Sequence, residues 1–373
     1  MLLPGRIATM AVRSARAATG SDRRGRKARE GLAARRTIDL TDRCRSAGGY
    51  VTYQQLMGLA NGYADSKVLL VANELGVFTA IGTGGHRVNA LAAACETTHE
   101  GMRLLLHALA GLGLLRRKAD RYWNTPLGLR FLDGHSPQAI TNLLWLLNHH
   151  WSDWTGMARA IRRGRPGWAR VTKTAEFRRR FALAMQERSH VLAPPTIASF
   201  RLPRNATRFL DLGGGAGSYS IALARQYPTL QGLVIDQSVA VARRLIRQQG
   251  LADRLKVRTG NLFTLPLATG FDVALLSNVL HDFSEKENLR LLRRVYQSLR
   301  PGGKLFIVEY FLNPAGIRPA EAAIFSLLMY AFTDTGRCYA WKEAEGWLAT
   351  AGFSRCRRHR ITGTIGTLEA VKR

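Results

Sequence analysis

Hydrophobic residues in the first half of the chain recur with a helical period. In "VLLVANELGVFTAI", residues 68–81, they fall at every third or fourth position, which predicts one helix with a buried face. Residues 87–128 then have the pattern of helix, turn, helix and a short hairpin with "KADR" at its tip, which is the order of a winged helix. The second of these helices is almost entirely apolar. We therefore expect it to pack against another subunit rather than enter a DNA groove.

Further helical pattern fills residues 138–200. It is interrupted at "RRGRPGW" and closed by Pro194-Pro195, because proline removes a backbone donor and disfavours helix in the residue before it. His149 and His150 are adjacent, so their side chains diverge on a helix, and we expect packing or pocket lining rather than metal binding. A domain boundary is expected near "RLPRNATR".

From Arg208 onward, short apolar runs alternate with amphipathic helices. The predicted strands are "RFLDL", "GLVID", "LKVRTG", "FDVALL" and "KLFIVEYF", and "RITGTIGTLEAVKR" is predicted to end the chain as a hairpin-like pair. Strands that are apolar throughout are covered on both faces, which is typical of a doubly wound, mostly parallel sheet. The predicted fold is therefore α/β, with a Rossmann-like sheet over residues 201–373. A mainly helical, winged-helix dimerisation domain over residues 48–200 precedes it.

The composition of the first 47 residues indicates a basic N-terminal extension. Residues 1–47 are rich in arginine and small residues and contain no aromatic side chain, so we expect them to be mostly disordered. The rest of the net charge of +29 is spread along the chain, whereas a nucleic-acid site would concentrate it on one face. No apolar run reaches the roughly 20 residues that span a bilayer, and the four cysteines form no CxxC pair. We expect a soluble, cytoplasmic protein with no metal site and no nucleic-acid partner.

A glycine-rich segment, "FLDLGGGAGSYS", joins the first predicted strand of the sheet to the first helix. Its candidate ligand-binding glycines are Gly213, Gly214, Gly215 and Gly217. Backbone and helix N-terminus can approach an anionic ligand there, and Asp236 at the end of the next strand can accept from both hydroxyls of a ribose. Ser218 stands where the GxGxxG spacing of a nicotinamide site requires glycine. The segment therefore predicts a nucleoside ligand of another kind.

His281 follows the predicted strand "FDVALL". Ser284 and Glu287 have the spacing of a capping box, so the next helix starts almost directly after the histidine. His281 therefore lies in a loop at the carboxyl edge of the sheet, where ligands of this fold class bind. An imidazole there titrates near neutral pH and can take a proton from a hydroxyl, which predicts a general base.

Several of these segments together resemble one family. They are "LDLGGGAG", "NVLHDFSEKENLRLLRRVYQSLRPGGKLFIVEYF", "AGF" at 351–353 and the helical front end "VANELGVF…LLLHALAGLGLL". The chain is similar, over about residues 50–373, to S-adenosylmethionine-dependent O-methyltransferases of the caffeate and hydroxyindole type, which include bacterial enzymes that modify natural products. The resemblance implies S-adenosylmethionine as cofactor with S-adenosylhomocysteine as product, a small hydroxylated acceptor, and a homodimer.

The resemblance also implies roles for individual residues. The "HDF" segment matches the family's "HDW"-like motif, whose histidine, here His281, is the catalytic base, and Glu309 matches a carboxylate that holds this histidine. Further cofactor-binding residues are expected at Asp211, Ser189, Asn261, Leu262 and Ser277. The acceptor pocket is expected at Phe181, Met185, Met329, Tyr330 and Phe332. Cys338 occupies the position of a second family glutamate, which is a departure from the pattern.

We predict that the protein transfers the methyl group of S-adenosylmethionine to a hydroxyl of a small aromatic or hydrophobic acceptor. Two alternatives remain open. One keeps the cofactor but methylates carbon or nitrogen, for instance on a tetrapyrrole-like pigment. The other is a winged-helix regulator whose second domain only senses the ligand, which the joint presence of His281 and Glu309 disfavours.

Overall fold

The computed structural model describes residues 51–165 and 174–373. The predicted N-terminal extension, residues 1–47, lies outside these ranges, as does part of the predicted break at "RRGRPGW". Within the described ranges, none of the helices combines the length and the apolar character that crossing a bilayer requires.

The chain divides into two units, Met1–Tyr63 and Ala64–Arg373. The described part of the first unit is residues 51–63, where helix α1 (Tyr53–Glu74) begins and Leu56 and Leu59 are exposed. All further elements belong to the second unit. The predicted boundary at residue 200 stays a prediction.

The first elements of the second unit after α1 are short. They are α2 (Val77–Ile81), β1 (His86–Arg87), α3 (Val88–Ala94), α4 (His99–Gly111), β2 (Leu115–Lys118) and β3 (Arg121–Asn124). The prediction of one helix through residues 68–81 is wrong, because Gly76 adopts φ +68° and separates α1 from α2. The predicted order of helix, turn, helix and hairpin is present, and the three strands form a small sheet in the order β1-β3-β2. The winged-helix assignment itself stays a prediction.

Three helices follow: α5 (Thr141–His149), α6 (Trp151–Arg163) and α7 (Ala175–Ala198). The prediction that Pro194-Pro195 closes the last of them is wrong, because both prolines lie inside α7. The prolines remove two backbone donors. The Thr196 hydroxyl, which donates to the Leu192 carbonyl at 2.7 Å, supplies one hydrogen bond in this turn.

A seven-stranded sheet forms the centre of the second unit. Its strands are β4 (Arg208–Leu212), β5 (Gln231–Asp236), β6 (Leu255–Thr259), β7 (Phe271–Ser277), β8 (Leu299–Tyr310), β9 (Phe353–Arg360) and β10 (Ile365–Lys372). They are ordered β6-β5-β4-β7-β8-β10-β9, and β10 runs in the direction opposite to the other six strands. The intervening helices are α8 (Ser218–Gln226), α9 (Ala240–Gln248), α10 (Glu285–Ser298), α11 (Ala320–Phe332) and α12 (Trp341–Thr350). The predicted mostly parallel α/β fold is confirmed, whereas the terminal pair begins at Phe353 and not within the last fourteen residues.

Both faces of this sheet are covered, as the unbroken apolar strands predict. In β7, Leu276 packs into one hydrophobic core while the adjacent Leu275 packs into the other. In β8, Ile307 packs into the first core and the adjacent Phe306 into the second, because successive side chains of a strand point to opposite faces. A third core lies among the helices before residue 145.

The strand order fixes where a ligand can bind. The chain leaves β4 toward β5 and β6 on one side, and β7 and β8 lie on the other side of β4. The loops after β4 and β7 therefore diverge and leave a crevice at the carboxyl edge of the sheet. This crevice receives the glycine segment and His281.

Candidate active site

A cavity of about 220 Å³ opens at this edge of the sheet. The loops after β4, β5 and β7 form one side of it, and α7 and α11 form the other. The predicted site residues that line it are Phe181, Met185, Ser189, Gly213, Gly214, Gly215, Asp236, Ser277, His281, Met329 and Phe332. The structure thus brings the residues expected for cofactor and for acceptor to a single cavity.

His281 and Glu309 form a buried pair at the wall of this cavity. A short 3-10 turn, Leu280–Asp282, places the histidine directly after β7, and Glu309 lies on the neighbouring strand β8. One Glu309 oxygen accepts from the Leu280 amide at 2.9 Å, and the other lies 2.7 Å from Nδ1 of His281. Because an ionised carboxylate can only accept, Nδ1 carries the proton and Nε2 keeps its lone pair. The pair therefore presents a proton acceptor to the cavity.

The electrostatic environment makes His281 a stronger base than an ordinary histidine. Burial by itself lowers the pKa of His281, because it disfavours the charged ring. The charge of Glu309 and its hydrogen bond raise the pKa and prevail, with a smaller contribution from Asp282 and opposition from Arg188. The net direction is upward, so His281 gains a proton more readily than a free imidazole does.

The glycine segment shapes the other half of the cavity through its backbone. Gly213 adopts φ +74°, and a Cβ there would lie 2.6 Å from a methyl carbon of Val279. Gly215 faces open space, since a Cβ would meet nothing within 4 Å, and its amide donates to Asp236 at 3.0 Å. The second Asp236 oxygen accepts from the Ser238 amide at 2.9 Å. Asp236 is thus held in place at the end of β5 with lone pairs left to accept from a ligand.

This arrangement fits S-adenosylmethionine. A strand, a glycine loop and the N-terminus of α8 receive the polar part of a nucleoside ligand, and Asp236 stands where ribose hydroxyls would donate. Among the described residues, no group of three His, Cys, Asp or Glu side chains is arranged to hold a metal ion.

Asp211, which was predicted to bind the cofactor, lies beneath the glycine segment and not in the cavity wall. Its side chain is fully buried, and one oxygen accepts from the Ser220 hydroxyl at 2.6 Å. A Cβ on Gly214 would lie 2.7 Å from that same oxygen, so Asp211 sits directly beneath the loop. Burial raises the pKa of Asp211 to about 7. Asp211 therefore supports the loop from inside and does not contact the cavity.

Five other predicted residues also lie outside the cavity wall. Asn261 is exposed and accepts from the Phe263 amide at 2.8 Å, which caps its own loop, and Leu262 is buried in the core. Tyr330 faces away, with its ring 4.5 Å from the Arg165 guanidinium carbon. Gly217 is the N-cap of α8, and Glu309 contacts Nδ1 of His281 without lining the cavity itself. Side-chain direction decides the four cases that have a side chain, and backbone position decides Gly217.

Aromatic and methionine side chains form the acceptor half of the cavity. Phe181 of α7 and Phe332 of α11 are nearly parallel, with ring centres 6.4 Å apart. Met185 and Met329 come from the same two helices. Phe325 packs its ring 5.0 Å from the imidazole of His281 in a T-shaped contact. The result is an apolar slot that ends at His281.

Two polar residues of this half were not among the assigned site residues, although His150 was expected to pack or to line a pocket. His150 lines the cavity, and its Nδ1 lies 2.7 Å from Asp153, so it is a second carboxylate-paired histidine. Arg188 lines the cavity one turn after Met185. The spacing of three residues, in His150 to Asp153 and in Met185 to Arg188, places each pair on one helix face and is the signal that could have identified them.

Cys338 leaves the position of the second family glutamate without charge. Its side chain is 1% exposed, and burial raises the pKa of the thiol, with the neighbouring charge of Glu309 acting in the same direction. The thiol therefore stays protonated. Among the described carboxylates, Glu309 forms the close hydrogen bond with the His281 ring, while the nearest Asp282 oxygen is 3.9 Å from Nε2.

Two family models match the chain. The O-methyltransferase domain matches residues 146–354, and the O-methyltransferase dimerisation domain matches residues 57–134. The first of these matches spans more than half of the chain and includes every residue that lines the cavity.

Individual relatives agree with these matches. The chain is 34% identical over 345 residues to acetylserotonin O-methyltransferase of Mus musculus molossinus, covering 86% of this chain and 88% of the relative. It is 29% identical to 3-hydroxy-5-methyl-1-naphthoate 3-O-methyltransferase of Streptomyces sahachiroi, covering 85% of this chain and 94% of the relative. The structure of human N-acetylserotonin methyltransferase in complex with S-adenosylmethionine has a TM-score of 0.77 and 27% identity, covering 88% of this chain and 99% of that one.

Proposed function

The chain belongs to the O-methyltransferase family as an S-adenosylmethionine-dependent enzyme, and we propose that it methylates a hydroxyl of a flat aromatic acceptor with His281 as general base. The match to the dimerisation domain supports a homodimer. The acceptors named for two relatives, acetylserotonin and a hydroxynaphthoate, are both aromatic. The family assignment favours an enzyme over the ligand-sensing regulator. The O-methyltransferase relatives favour this prediction over C- or N-methylation, and the position of the label in the test below separates these alternatives.

The hydrogen bond between Glu309 and Nδ1 of His281 is the observation that carries the proposal. It leaves Nε2 as the proton acceptor at the cavity wall, so the hydroxyl proton of the acceptor passes to Nε2. Glu309 then stabilises the imidazolium, as a buried carboxylate does for a catalytic histidine. S-adenosylmethionine, when bound, supplies an electrophilic methyl group on its sulfonium. The protein's task is to hold a partly deprotonated oxygen in line with it.

Cofactor binding is assigned to the backbone of the glycine segment together with Asp236. Asp236 would accept from the ribose hydroxyls, since its two oxygens are already fixed by the Gly215 and Ser238 amides. Ser189 and Ser277 line the same cavity and would donate or accept with the polar end of the cofactor.

Acceptor binding is assigned to the apolar slot. The stacked pair Phe181 and Phe332 and the methionines Met185 and Met329 favour a flat ring, because aromatic and thioether groups pack well on such a surface. His150 would position the acceptor through Nε2, since Nδ1–H donates to Asp153.

A cytoplasmic location is part of the proposal. It is supported by the cysteines at 95, 338 and 356, which are free thiols among the described residues. The division into residues 48–200 for dimerisation and acceptor binding and residues 201–373 for the cofactor is also proposed.

The test is methyl transfer from isotopically labelled S-adenosylmethionine to a panel of hydroxyaryl compounds, followed by mass spectrometry. We expect label on the hydroxyl oxygen of at least one phenol or naphthol and an equal amount of S-adenosylhomocysteine. Transfer to aliphatic alcohols in preference to every aromatic hydroxyl would contradict the acceptor class.

A further inference from the structure

Arg188 places a positive charge in the apolar half of the cavity. It lies three residues after Met185 on α7, so both side chains face the cavity. Its guanidinium carbon is 5.8 Å from the centre of the Phe325 ring. The same ring contacts the His281 imidazole, with 5.0 Å between ring centres. One phenyl ring thus connects the guanidinium to the catalytic imidazole.

Within residues 51–165 and 174–373, Arg188 forms no ion pair with a carboxylate. Other arginines, such as Arg179 and Arg337, are paired with glutamates. The acidic side chains of the cavity wall are Asp236 and Asp282. Asp236 is held by the Gly215 and Ser238 amides, and Asp282 is half exposed beside Nε2 of His281. Neither forms an ion pair with Arg188.

This unpaired charge is costly in the liganded cavity. A guanidinium that loses water must gain hydrogen bonds or an anion in return. The sulfonium of the cofactor brings a second positive charge into the same space, and repulsion between like charges grows as water is displaced. An anionic group on a ligand would offset both the loss of water from the guanidinium and the repulsion between the two positive charges.

Resting on the function proposed above, we propose that Arg188 binds a carboxylate of the acceptor, so that the substrate is a hydroxyaryl carboxylate. The planar guanidinium can bind a carboxylate with two parallel hydrogen bonds. Phe325 and the stack of Phe181 and Phe332 would hold the ring. The position of Arg188 beside Phe325 places this carboxylate on the acceptor side, close to the hydroxyl at His281. The carboxylate of the cofactor is the other possible source, and the test below separates the two.

The test uses pairs of probes that differ only in the carboxylate, for example 3-hydroxy-2-naphthoate with 2-naphthol, and further hydroxynaphthoates with their matching naphthols. Calorimetry in the presence of S-adenosylhomocysteine gives the Kd of each probe. We expect the wild type to bind at least one hydroxynaphthoate about 10- to 100-fold more tightly than its naphthol, the range for a charge-assisted hydrogen bond. Arg188→Met should abolish this preference while the Kd of the naphthol stays unchanged.

Two variants control the result. Arg188→Lys keeps the charge but not the bidentate geometry, so it should retain part of the preference. Arg179→Met removes an exposed arginine of the same helix and should behave as the wild type. The Kd of S-adenosylhomocysteine should be unchanged in all three variants, which also verifies that they are folded.

Three outcomes would overturn the inference. They are a wild type that prefers no hydroxynaphthoate over its naphthol, a preference that persists in Arg188→Met, and a loss of S-adenosylhomocysteine binding in Arg188→Met as large as the loss of naphthoate binding. The last would assign Arg188 to the cofactor's carboxylate. If naphthols are methylated without any carboxylate preference, the inference fails while the aromatic acceptor class stands. If no probe is bound or methylated, both fail together.

Discussion

The two halves of the cavity are built in different ways. The cofactor half comes mainly from the segment after β4 and from the end of β5, with Ser189 of α7 and Ser277 of β7 beside them. Its shape is set largely by backbone, as in the hydrogen bond from the Gly215 amide to Asp236. The acceptor half comes from α5, α7 and α11 and from His150 directly after α5, which are distant in sequence, and its surface is made of side chains such as Phe181 and Phe332. His281 lies where the halves meet.

This difference suggests that the cofactor half tolerates few substitutions, whereas the acceptor half can vary. A backbone-defined site tolerates few substitutions, because a Cβ at Gly213 would collide with Val279. A site made of helix side chains can change its shape and charge by single substitutions on α7 or α11 without disturbing the sheet. We therefore expect variants of the cofactor half to change cofactor affinity, and variants of the acceptor half to change acceptor affinity only.

His281→Ala should give the largest effect, because it acts on the step that both halves serve. We expect the single-turnover rate of methyl transfer to fall by about 10² to 10⁴, the usual contribution of a general base. The Kd of S-adenosylhomocysteine, measured by calorimetry, should change little. Equal rates for the wild type and the variant would remove His281 from the chemistry. His135→Ala is the matched control, since His135 is exposed and lies outside the cavity.

Asp236→Ala should give the next largest effect, and it should be confined to the cofactor half. We expect S-adenosylmethionine to bind about 10- to 100-fold more weakly, because hydrogen bonds from the ribose to a charged group are lost. Asp236→Asn keeps an acceptor for the Gly215 amide, which separates loss of the ligand contact from loosening of the loop. An unchanged cofactor Kd in both variants would exclude Asp236 from the binding site. Asp253→Ala, at an exposed position, is the control.

The sequence predicted the fold correctly where neighbouring residues form a strong apolar or capping pattern. The apolar runs of β4 and β7 and the capping box of Ser284 and Glu287 have their cause in nearby residues, and the structure contains all of them. The terminal pair was misplaced because β9, "FSRCRRHR", is an Arg-rich edge strand with no apolar run to mark it. Pro194-Pro195 does not end α7, since packing of Ala193 and Ile197 into the core maintains the helix.

The residues of the candidate site also differ in how well the sequence predicted them. Motif and position placed Asp236 and His281 at the sheet edge, because both follow strands directly. Side-chain direction is not encoded in a motif, so Asp211 was assigned to the ligand although it is buried beneath the loop. Arg188 and His150 acquire their neighbours only when α5, α7 and α11 pack together, and only their spacing along each helix was available in the sequence.

Glu309→Gln tests whether the charge of Glu309 supports His281 as a base. We expect the rate of methyl transfer to fall about tenfold. Glutamine keeps an acceptor for Nδ1 but removes the charge that raises the pKa of His281. The base must be neutral to act, so the rate of the wild type should rise with pH through a midpoint above the ordinary histidine value of about 6.5. In the variant, that midpoint should move to lower pH. Rates measured from pH 5 to 10 that show the same midpoint in both proteins would contradict the role of Glu309.

His150→Phe should give the smallest effect, and it should be confined to the acceptor half. Phenylalanine preserves the ring that lies 4.6 Å from Phe332 but removes the nitrogen that faces the acceptor. We expect the KM of the acceptor to rise about threefold to tenfold, the cost of one neutral hydrogen bond, with kcat and cofactor Kd unchanged. The neighbouring His149 stacks on Trp145 away from the cavity wall, so His149→Phe is a closely matched control. A fall in kcat at unchanged KM would instead place His150 in the chemical step, and the division between the two halves would have to be redrawn.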